Sequence, residues 1–470
     1  MNRSLFPLLC GVALVGCDRL GPDYQAPSIE LSNQFVNAAP SSLQNAASSK
    51  WWEKLNDPLL NELVAKGSSQ NLDVQTALER MTSAEAALGT VGLNAQTAGG
   101  WTASATRQDF GAGVTTNRNS AIDGRYVLDL FGGFARGQEQ ALANFDAAQV
   151  NVGVVRLAYL ADITSAYVQA RYFQEAAAIT RSTIRSRKQT LDLVSQRRSA
   201  GEATELEVQQ ARSDLASSEA GLPILVANFE TNVFRVATLL AEPAQPILAR
   251  MQAGSAQPRP SGFTTIGHPA DLLRNRPDIQ VAERNLAAAT AAVGVAEAQL
   301  YPSITLNGTL GTGTTDSWSF GPSLNVPVLN RGVLRANQEI AESTAREAEL
   351  NWRSTVLAAV EDVQSALTLC LNWRRQLTSL ERASAASASV LDLSRESYRG
   401  GAITLTDVLD AERQHANNRL SMADALRNYT LSWMDVQVTT GRGWLTGQSA
   451  THAATMRPQV RPDPLGISGG

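Results

Sequence analysis

The sequence is poor in the residue types that build metal sites, disulfide frameworks and catalytic centres. Its 470 residues include only three cysteines (Cys10, Cys17 and Cys370) and three histidines, and these stand singly rather than at metal-ligand or disulfide spacing. The net charge of -4 argues against a nucleic-acid binder. There is no phosphate-binding GxxxxGK(S/T) segment and no Ser/His/Asp arrangement. We therefore expect a protein that is not an enzyme and that uses no metal or cofactor.

Long apolar runs are also missing once the first residues are passed. No later run approaches the roughly 20 apolar residues that a membrane-spanning helix needs. Any crossing of a membrane must therefore use strands.

The first residues have the features of a secretory signal. Arg3 supplies a positive charge, Leu5 to Val15 is nearly all apolar, and Gly16-Cys17 follows. Such a pattern is typical of a signal that is removed. The segment Leu14-Val15-Gly16-Cys17 resembles the bacterial lipobox, which implies cleavage before Cys17 and covalent lipid on Cys17. Several acyl chains together anchor a protein stably to a membrane.

Two alternatives bear on this anchor. The segment is also compatible with an ordinary signal peptide that contains an incidental cysteine. In addition, Asp18 resembles the residue that retains lipoproteins in the inner membrane of enteric bacteria, a rule that varies between bacteria. We expect the anchor to lie in the outer membrane.

The chain contains two copies of one pattern. The residues around 191–212 and 391–412 match at an offset of 200 positions, and seven identities carry the match: Leu191, Asp192, Leu193, Gly201, Thr204, Val208 and Ala211 against Leu391, Asp392, Leu393, Gly401, Thr404, Val408 and Ala411. Self-similarity at a fixed period is the signature of a repeat architecture.

Each copy contains one very long helical segment. Phe134–Ser199 has no proline and two glycines, and Val333–Arg399 has neither residue type. About 65 helical residues reach roughly 100 Å, which indicates coiled-coil packing rather than a compact globule. Gly201 and Gly401 end these segments, and further helix follows each of them. We predict that they form the turns at the tips of two helical hairpins, because glycine adopts the left-handed C-cap.

Four short segments alternate between apolar and polar residues, which predicts strands: Gly99–Arg107, Ile122–Leu130, Ser303–Gly311 and Ser317–Val326. Strands of about ten residues with one apolar face are typical of membrane barrels, but a soluble sheet has the same pattern. The long helices favour the membrane interpretation. Four strands cannot close a barrel and an open edge cannot lie in lipid, so strands that span a membrane must be pooled by several subunits. Three copies would give twelve strands, which is within the usual range for outer-membrane barrels, although the number twelve is not read from this chain.

Several short segments together are typical of one family: Gly21-Pro22-Asp23-Tyr24 with Pro27, Trp51-Trp52, Asp57-Pro58-Leu59, Asn71-Leu72, Asp129-Leu130-Phe131-Gly132-Gly133, Leu272-Leu273-Arg274-Asn275-Arg276-Pro277-Asp278-Ile279, Ala282-Glu283, Ala298, Tyr301-Pro302-Ser303-Ile304, Val326-Pro327-Val328, Tyr398, Gly401 and Asp407-Val408-Leu409-Asp410-Ala411. They resemble the TolC-like outer-membrane factors, in the lipoprotein branch that serves resistance-nodulation-division pumps. The resemblance covers about residues 14–444.

The resemblance implies a mainly α fold with a small β-barrel contribution. Coiled-coil hairpins would form a periplasmic tunnel, with four transmembrane strands in each subunit of a homotrimer. The implied function is a passive exit duct for small molecules in the outer membrane, working with a periplasmic adaptor and an inner-membrane pump. The implied periplasmic gate includes Tyr398, Asp407 and Asp410, with Glu207 at the first tip.

This chain departs from the family pattern in three places. The first barrel entry, Leu93 to Trp101, lacks the proline of the second copy. Glu207 stands where the family often has Asp, and Ile403 stands where one branch has a basic residue. We therefore expect no gate lock built on an arginine–carboxylate pair.

The pattern divides the chain into six parts: a signal peptide at 1–16, a lipid-anchored segment at 17–50, a first repeat at 51–242, a linker at 243–268, a second repeat at 269–444 and a disordered tail at 445–470. Three alternative functions remain. A type I secretion channel has the same architecture, a periplasmic adaptor lipoprotein also has helical hairpins, and a helical enzyme would need a site that the sequence does not contain.

Overall fold

The computed structural model describes residues 19–36, 46–109, 111, 113–262, 266–313 and 315–445. The predicted signal peptide, Cys17, Asp18 and nearly all of the predicted tail lie outside the described residues. The chain divides into two units. The sheet unit takes the residues up to Glu30, Ala77–Val152 and Asp278–Leu357, and the tip unit takes Leu31–Thr76, Gly153–Pro277 and the residues from Ala358 onward.

The described residues are mostly helical, with one small antiparallel sheet, which confirms the predicted class. Short 3-10 segments occur at Ala46–Ser48, Trp51–Leu55 and Pro269–Asp271. The other elements are, in order, α1 (Pro58–Gln70), α2 (Leu72–Leu88), α3 (Leu93–Gln96), β1 (Thr97–Asp109), β2 (Val114–Leu128), α4 (Gly133–Ser199), α5 (Glu205–Leu239), α6 (Ala244–Gln252), α7 (Leu272–Asn275), α8 (Pro277–Ala298), β3 (Ser303–Thr312), β4 (Ser317–Asn325), α9 (Arg331–Arg399) and α10 (Leu405–Thr439).

The two long helices match their predictions to within two residues. α4 has 67 residues and α9 has 69, which corresponds to about 100 Å each. α4 tolerates Gly153 for a packing reason. A Cβ at that position would lie 2.4 Å from Cε3 of Trp444, so only glycine lets the indole ring reach the helix backbone.

The four strands form one sheet in the order β1-β2-β3-β4, with every neighbouring pair antiparallel. The predicted strand Ile122–Leu130 is wrong at both ends. β2 begins at Val114 because it pairs with β1 along its whole length. It ends at Leu128 because the carboxylate of Asp129 turns to the next helix, where it accepts hydrogen bonds from the amides of Phe134 and Ala135 at 3.2 and 2.9 Å.

The region predicted as a linker, 243–268, contains a helix that the prolines concealed. α6 has Pro246 in its first turn, where the missing N–H costs no hydrogen bond. Ile247 and Met251 are spaced four residues apart on one face and are 2% and 0% exposed. Their burial stabilises this short helix within the tip unit.

α9 is the one helix among the described residues that is long and apolar enough to cross a membrane. Its best 18-residue window has a mean hydropathy of 1.2, and 28% of that window is buried. Length and composition alone are weak evidence for a crossing. The more informative feature is exposure: Val333, Ile340, Leu350 and Leu357 are each more than half exposed and recur along one side of the helix.

Candidate functional site

The turn between α4 and α5 is built around Gly201, which has φ 76°. The amide of Glu202 donates to the carbonyl of Arg197 at 2.8 Å, and that of Gly201 donates to Arg198 at 2.9 Å. Thr204 then caps α5 in a capping box with Glu207. The Thr204 amide donates to Glu207 Oε2 at 2.7 Å, which satisfies a donor that the helix start leaves free.

The turn between α9 and α10 has the same construction at Gly401, where φ is 74°. The amide of Ala402 donates to the carbonyl of Ser397 at 2.9 Å, and that of Gly401 donates to Tyr398 at 3.0 Å. Thr404 caps α10 through a capping box with Asp407. The Thr404 amide and hydroxyl both donate to Asp407 Oδ2, at 2.9 and 2.7 Å.

Tyr398 lies in the apolar cluster beneath these two turns and is 4% exposed. Its neighbours in the cluster come from both hairpins and include Val194, Val208, Ala211, Leu405, Val408 and Leu409. The guanidinium of Arg197 lies 4.7 Å from the centre of the Tyr398 ring and donates to the Tyr398 carbonyl at 2.9 Å. Burial, reinforced by the charge of Glu207, raises the pKa of the Tyr398 hydroxyl. Tyr398 therefore joins the hairpins as a neutral aromatic group.

The two predicted acids of the second tip are exposed but differ in their partners. Hydrogen bonds from the side chain and then the backbone of Thr404 lower the pKa of Asp407, so this carboxylate keeps its charge in moderately acidic solution. Asp410 forms an ion pair with Arg413 three residues later on the same helix. Ile403 packs against the apolar cluster and offers no charge to either acid.

Sequence reasoning missed Glu412, which is 2% exposed on α10. Its Oε1 accepts hydrogen bonds from Ser186 at 3.0 Å, Thr190 at 2.8 Å and Arg395 at 2.7 Å. The carboxylate thereby links α10 to α9 and α4. The available signal for its burial was one acid, next to Ala411, that interrupts an apolar pattern of period 3.6. A single Glu in a helix is usually a surface residue, so this signal was weak.

The second candidate surface is one face of the sheet. Trp101, Ile122, Leu310 and Trp318 are register partners in successive strands and are 72%, 57%, 64% and 79% exposed. The next register positions place Asp123, Thr309 and Ser319 in one row on the opposite face. A sheet with one apolar exposed face suits contact with lipid rather than water.

The described residues contain no group of three or more His, Cys, Asp or Glu side chains that could hold a metal ion. His415 lies half-buried, 3.2 Å from the hydroxyl of Ser387. Burial, followed by the charge of Arg419, lowers the pKa of His415, so this histidine is neutral at neutral pH.

Comparison with known proteins connects these features to a family. The sequence matches the family described as "Outer membrane efflux protein" over residues 69–242 and 269–442. It is 38% identical over 448 residues to nodulation protein T of Rhizobium leguminosarum bv. viciae, covering 91% of this chain and 90% of that protein. It is 31% identical to the pyoverdine export outer membrane protein OpmQ of Pseudomonas putida, covering 88% and 92% of the two chains.

Solved structures agree with the sequence matches. The outer-membrane channel OprN superimposes with a TM-score of 0.81 at 30% identity, covering 90% of this chain and 99% of that chain. The open state of the MtrE outer membrane channel of Neisseria gonorrhoeae superimposes with a TM-score of 0.82 at 26% identity, covering 91% and 99%.

Proposed function

Because the chain belongs to the outer membrane efflux protein family, we propose that three copies assemble into a passive exit duct that spans the outer membrane and the adjoining periplasm. Like the members of this family and its structural neighbours, the chain is an outer-membrane efflux component and not an enzyme. The duct carries small molecules delivered by an inner-membrane pump through a periplasmic adaptor. Its two halves, 51–242 and 269–444, are repeats joined by the segment 243–268.

The observation that carries this proposal is the open sheet. Its outer strands, β1 and β4, each have only one neighbour among the described strands, and its apolar face is exposed. Unpaired backbone groups are costly in lipid. Pairing β4 of one copy with β1 of the next removes both edges, and three copies of four strands give a closed barrel of twelve. The exposed apolar stripe of α9 supports the same arrangement, because a neighbouring subunit would bury it.

The function is tested by reconstituting the purified protein in planar lipid bilayers. The proposal expects discrete, voltage-independent conductance steps from a heat-sensitive oligomer. Absence of conductance from protein that runs as an intact oligomer would contradict a duct. A matched control is the same protein after heating to separate the subunits, which should give no steps.

We propose that Asp407 and Asp410 form two acidic rings at the periplasmic end of the duct, with Tyr398 and Glu207 packed beside them. Like charges gathered at a constriction attract cations and repel anions. Replacing both acids by Asn should weaken block of the current by divalent cations several-fold. Because the pKa of Asp407 is lowered, block in the native protein should persist until the pH falls below about 4, the ordinary value for Asp. Unchanged block in the double variant would remove both residues from the gate.

We further propose that Cys17 carries the covalent lipid that anchors the duct in the outer membrane. The lipobox-like Leu14-Val15-Gly16-Cys17 supports this assignment, and no other cofactor is proposed. Metabolic labelling with palmitate should mark the native protein, and Cys17→Ala should abolish the label. Cys370→Ala is the matched control, because Cys370 is half-buried on α9 and far along the chain. Label that survives in Cys17→Ala would contradict the assignment.

The names of the relatives support small molecules as cargo without fixing their identity. One relative is named for pyoverdine export, and another, from Escherichia coli at 27% identity, is named as a cation efflux system protein. A duct that selects little is compatible with such different cargoes. The sequence match over both halves gives no particular support to protein secretion, which remains the alternative.

A further inference from the structure

Arg136, in the first turn of α4, is only 2% exposed although it carries a full charge. Its guanidinium forms hydrogen bonds with residues near the start of the described chain. Nε donates to the carbonyl of Leu20 at 3.0 Å, and Nη2 donates to the carbonyl of Gly21 at 3.1 Å and to Asp23 at 2.7 Å. Nη1 donates to Glu139 at 2.8 Å on the same helix. A buried charge needs this degree of pairing to be tolerated.

Glycines bring the backbone of residues 19–21 against α8 within the sheet unit. Gly21 has φ 84°, and a Cβ there would lie 2.4 Å from Cα of Gly294 in α8. A Cβ on Gly294 would lie 2.7 Å from the carbonyl oxygen of Leu20 and 2.8 Å from Cγ of Arg136. The Leu20 amide donates to the carbonyl of Phe131 at 3.3 Å. Both backbone polar groups of Leu20 are therefore held.

A second contact continues the attachment toward the residues that follow. The Tyr24 hydroxyl donates to Glu283 of α8 at 3.0 Å, and its ring packs against Ala143, Ala287 and Ala288. Residues 20–24 are thus fixed by α4, by α8 and by the loop that follows β2. We call Phe131, Arg136, Glu283 and Gly294 the N-terminal clamp.

We infer that the N-terminal clamp is an intramolecular docking site that holds the lipid-bearing end of the chain beside the junction of β2 and α4. This inference rests on the proposed lipid at Cys17. Cys17 is two residues before Arg19, so their Cα atoms are at most about 7 Å apart. Arg19 in turn lies against Gly132, where a Cβ would be 3.0 Å from Cα of Arg19.

The docking site gives the anchor a defined height. The apolar face of the sheet begins next to this junction, where Leu128, Ile304 and Leu324 are register partners. An acyl anchor held here enters the bilayer at the level at which the strands do. Without the clamp, the lipid would be attached to the fold only through a flexible segment. The distance between the ends of such a segment grows with its length, so the position of the lipid would vary. Arg136 is in this sense a positioning residue for the modification.

Trypsin provides a direct test, because the bond from Arg19 to Leu20 joins an exposed arginine to the clamped residue. The next basic residue is Lys50. Cleavage after Arg19 requires the Leu20 backbone to leave the clamp, so its rate reports opening when cleavage is slow relative to reclosing. The experiment uses the full-length protein in detergent, with intact oligomer verified by its heat sensitivity. The released peptide 17–19 is identified by mass spectrometry.

Two variants weaken the clamp in different ways, one by removing hydrogen bonds and the other by introducing a clash. Arg136→Ala removes the hydrogen bonds to Leu20, Gly21 and Asp23, and we expect cleavage at least about tenfold faster. Gly294→Ala should act similarly through its clash with Leu20, although alanine is the better helix former. Gly137→Ala is the matched control, since a Cβ at that helical glycine meets nothing within 4 Å. If Arg136→Ala yields no oligomer, the milder Asp23→Asn should still raise the rate two- to threefold.

The outcomes separate this inference from the proposed function. Fast cleavage in Arg136→Ala and Gly294→Ala, slow cleavage in the native protein and Gly137→Ala, and acyl chains on the released peptide support the docking site. Equal rates in all four proteins overturn it, whatever the peptide carries. A released peptide without acyl chains overturns both the lipid at Cys17 and the positioning role, while conductance would still test the duct independently.

Discussion

The two helical tips share one backbone plan but bury different side chains. Each has a left-handed glycine, a threonine cap and an acid three residues after the threonine, at positions that are related by the 200-residue offset of the sequence copies. At the first tip, Arg198 is 53% exposed and pairs with Glu205. At the corresponding position of the second tip, Tyr398 is 4% exposed. The turn is therefore the same in both copies, and the side chains beside it differ in how they contribute to the contact between the hairpins.

A second pair of positions repeats this contrast farther from the turns. Arg212 on α5 is exposed, whereas Glu412 on α10, at the same offset, is buried among Ser186, Thr190 and Arg395. The first hairpin supplies hydroxyl groups to this contact, and the second supplies the charge. Similar local sequence thus produces two turns of the same construction, and different side chains of each copy make the contacts between them.

The largest effect is expected from replacing Tyr398, in comparison with Arg198 at the corresponding position of the first tip. Tyr398→Ala should destabilise the protein by about 3 to 5 kcal/mol, because it leaves a cavity in an apolar cluster and removes the ring beneath Arg197. Arg198→Ala should cost less than about 1 kcal/mol, since exposed ion pairs contribute little. Thermal unfolding in detergent compares the two. Similar losses in both variants would contradict the difference between the tips.

A somewhat smaller effect is expected at the buried acid. Glu412→Ala should cost about 3 kcal/mol, because it breaks a largely buried pair and strands Arg395. Glu412→Gln should cost less, since the amide oxygen still accepts hydrogen bonds from Ser186 and Thr190. Arg212→Ala is the matched control, with an expected change within about 0.5 kcal/mol. A Glu412→Ala protein as stable as the control would show that this link does not hold the hairpins.

The smallest effect on stability is expected from replacing the two capping threonines, Thr204 and Thr404. Thr404→Ala and Thr204→Ala should each cost about 1 kcal/mol through loss of the capping box. Only Thr404→Ala should also alter the pH dependence of cation block. Removing the hydroxyl donor lets the pKa of Asp407 rise toward its ordinary value, so the carboxylate loses its charge, and block fades, at a higher pH. An equal pH dependence of cation block in the two variants would show that the charge of Asp407 does not determine the block.

The sequence predicted the elements whose signals are local and periodic. Both long helices were found to within two residues because glycine and proline are nearly absent from them, and the four strands were located by their alternation. The family identification is confirmed by the sequence match, and the absence of enzymatic activity follows from the family. The trimer, the repeats as structural units, the gate residues and the lipid remain predictions.

The features that the sequence did not reveal depend on contacts between distant residues. α6 was hidden because its stability comes from burying Ile247 and Met251 rather than from a long pattern. The ends of β2 depend on pairing with β1 and on the capping role of Asp129. Most partners of Glu412 and Arg136 lie far away in sequence, so the local pattern around either residue was not sufficient to predict its burial.

The central claim is that one copy provides only part of a wall and that other copies complete it. The mass of the detergent-extracted protein, measured by light scattering with correction for bound detergent, tests this most directly. The account predicts a single species of three copies that separates into subunits only on heating. A stable, folded monomer under the same conditions would contradict it.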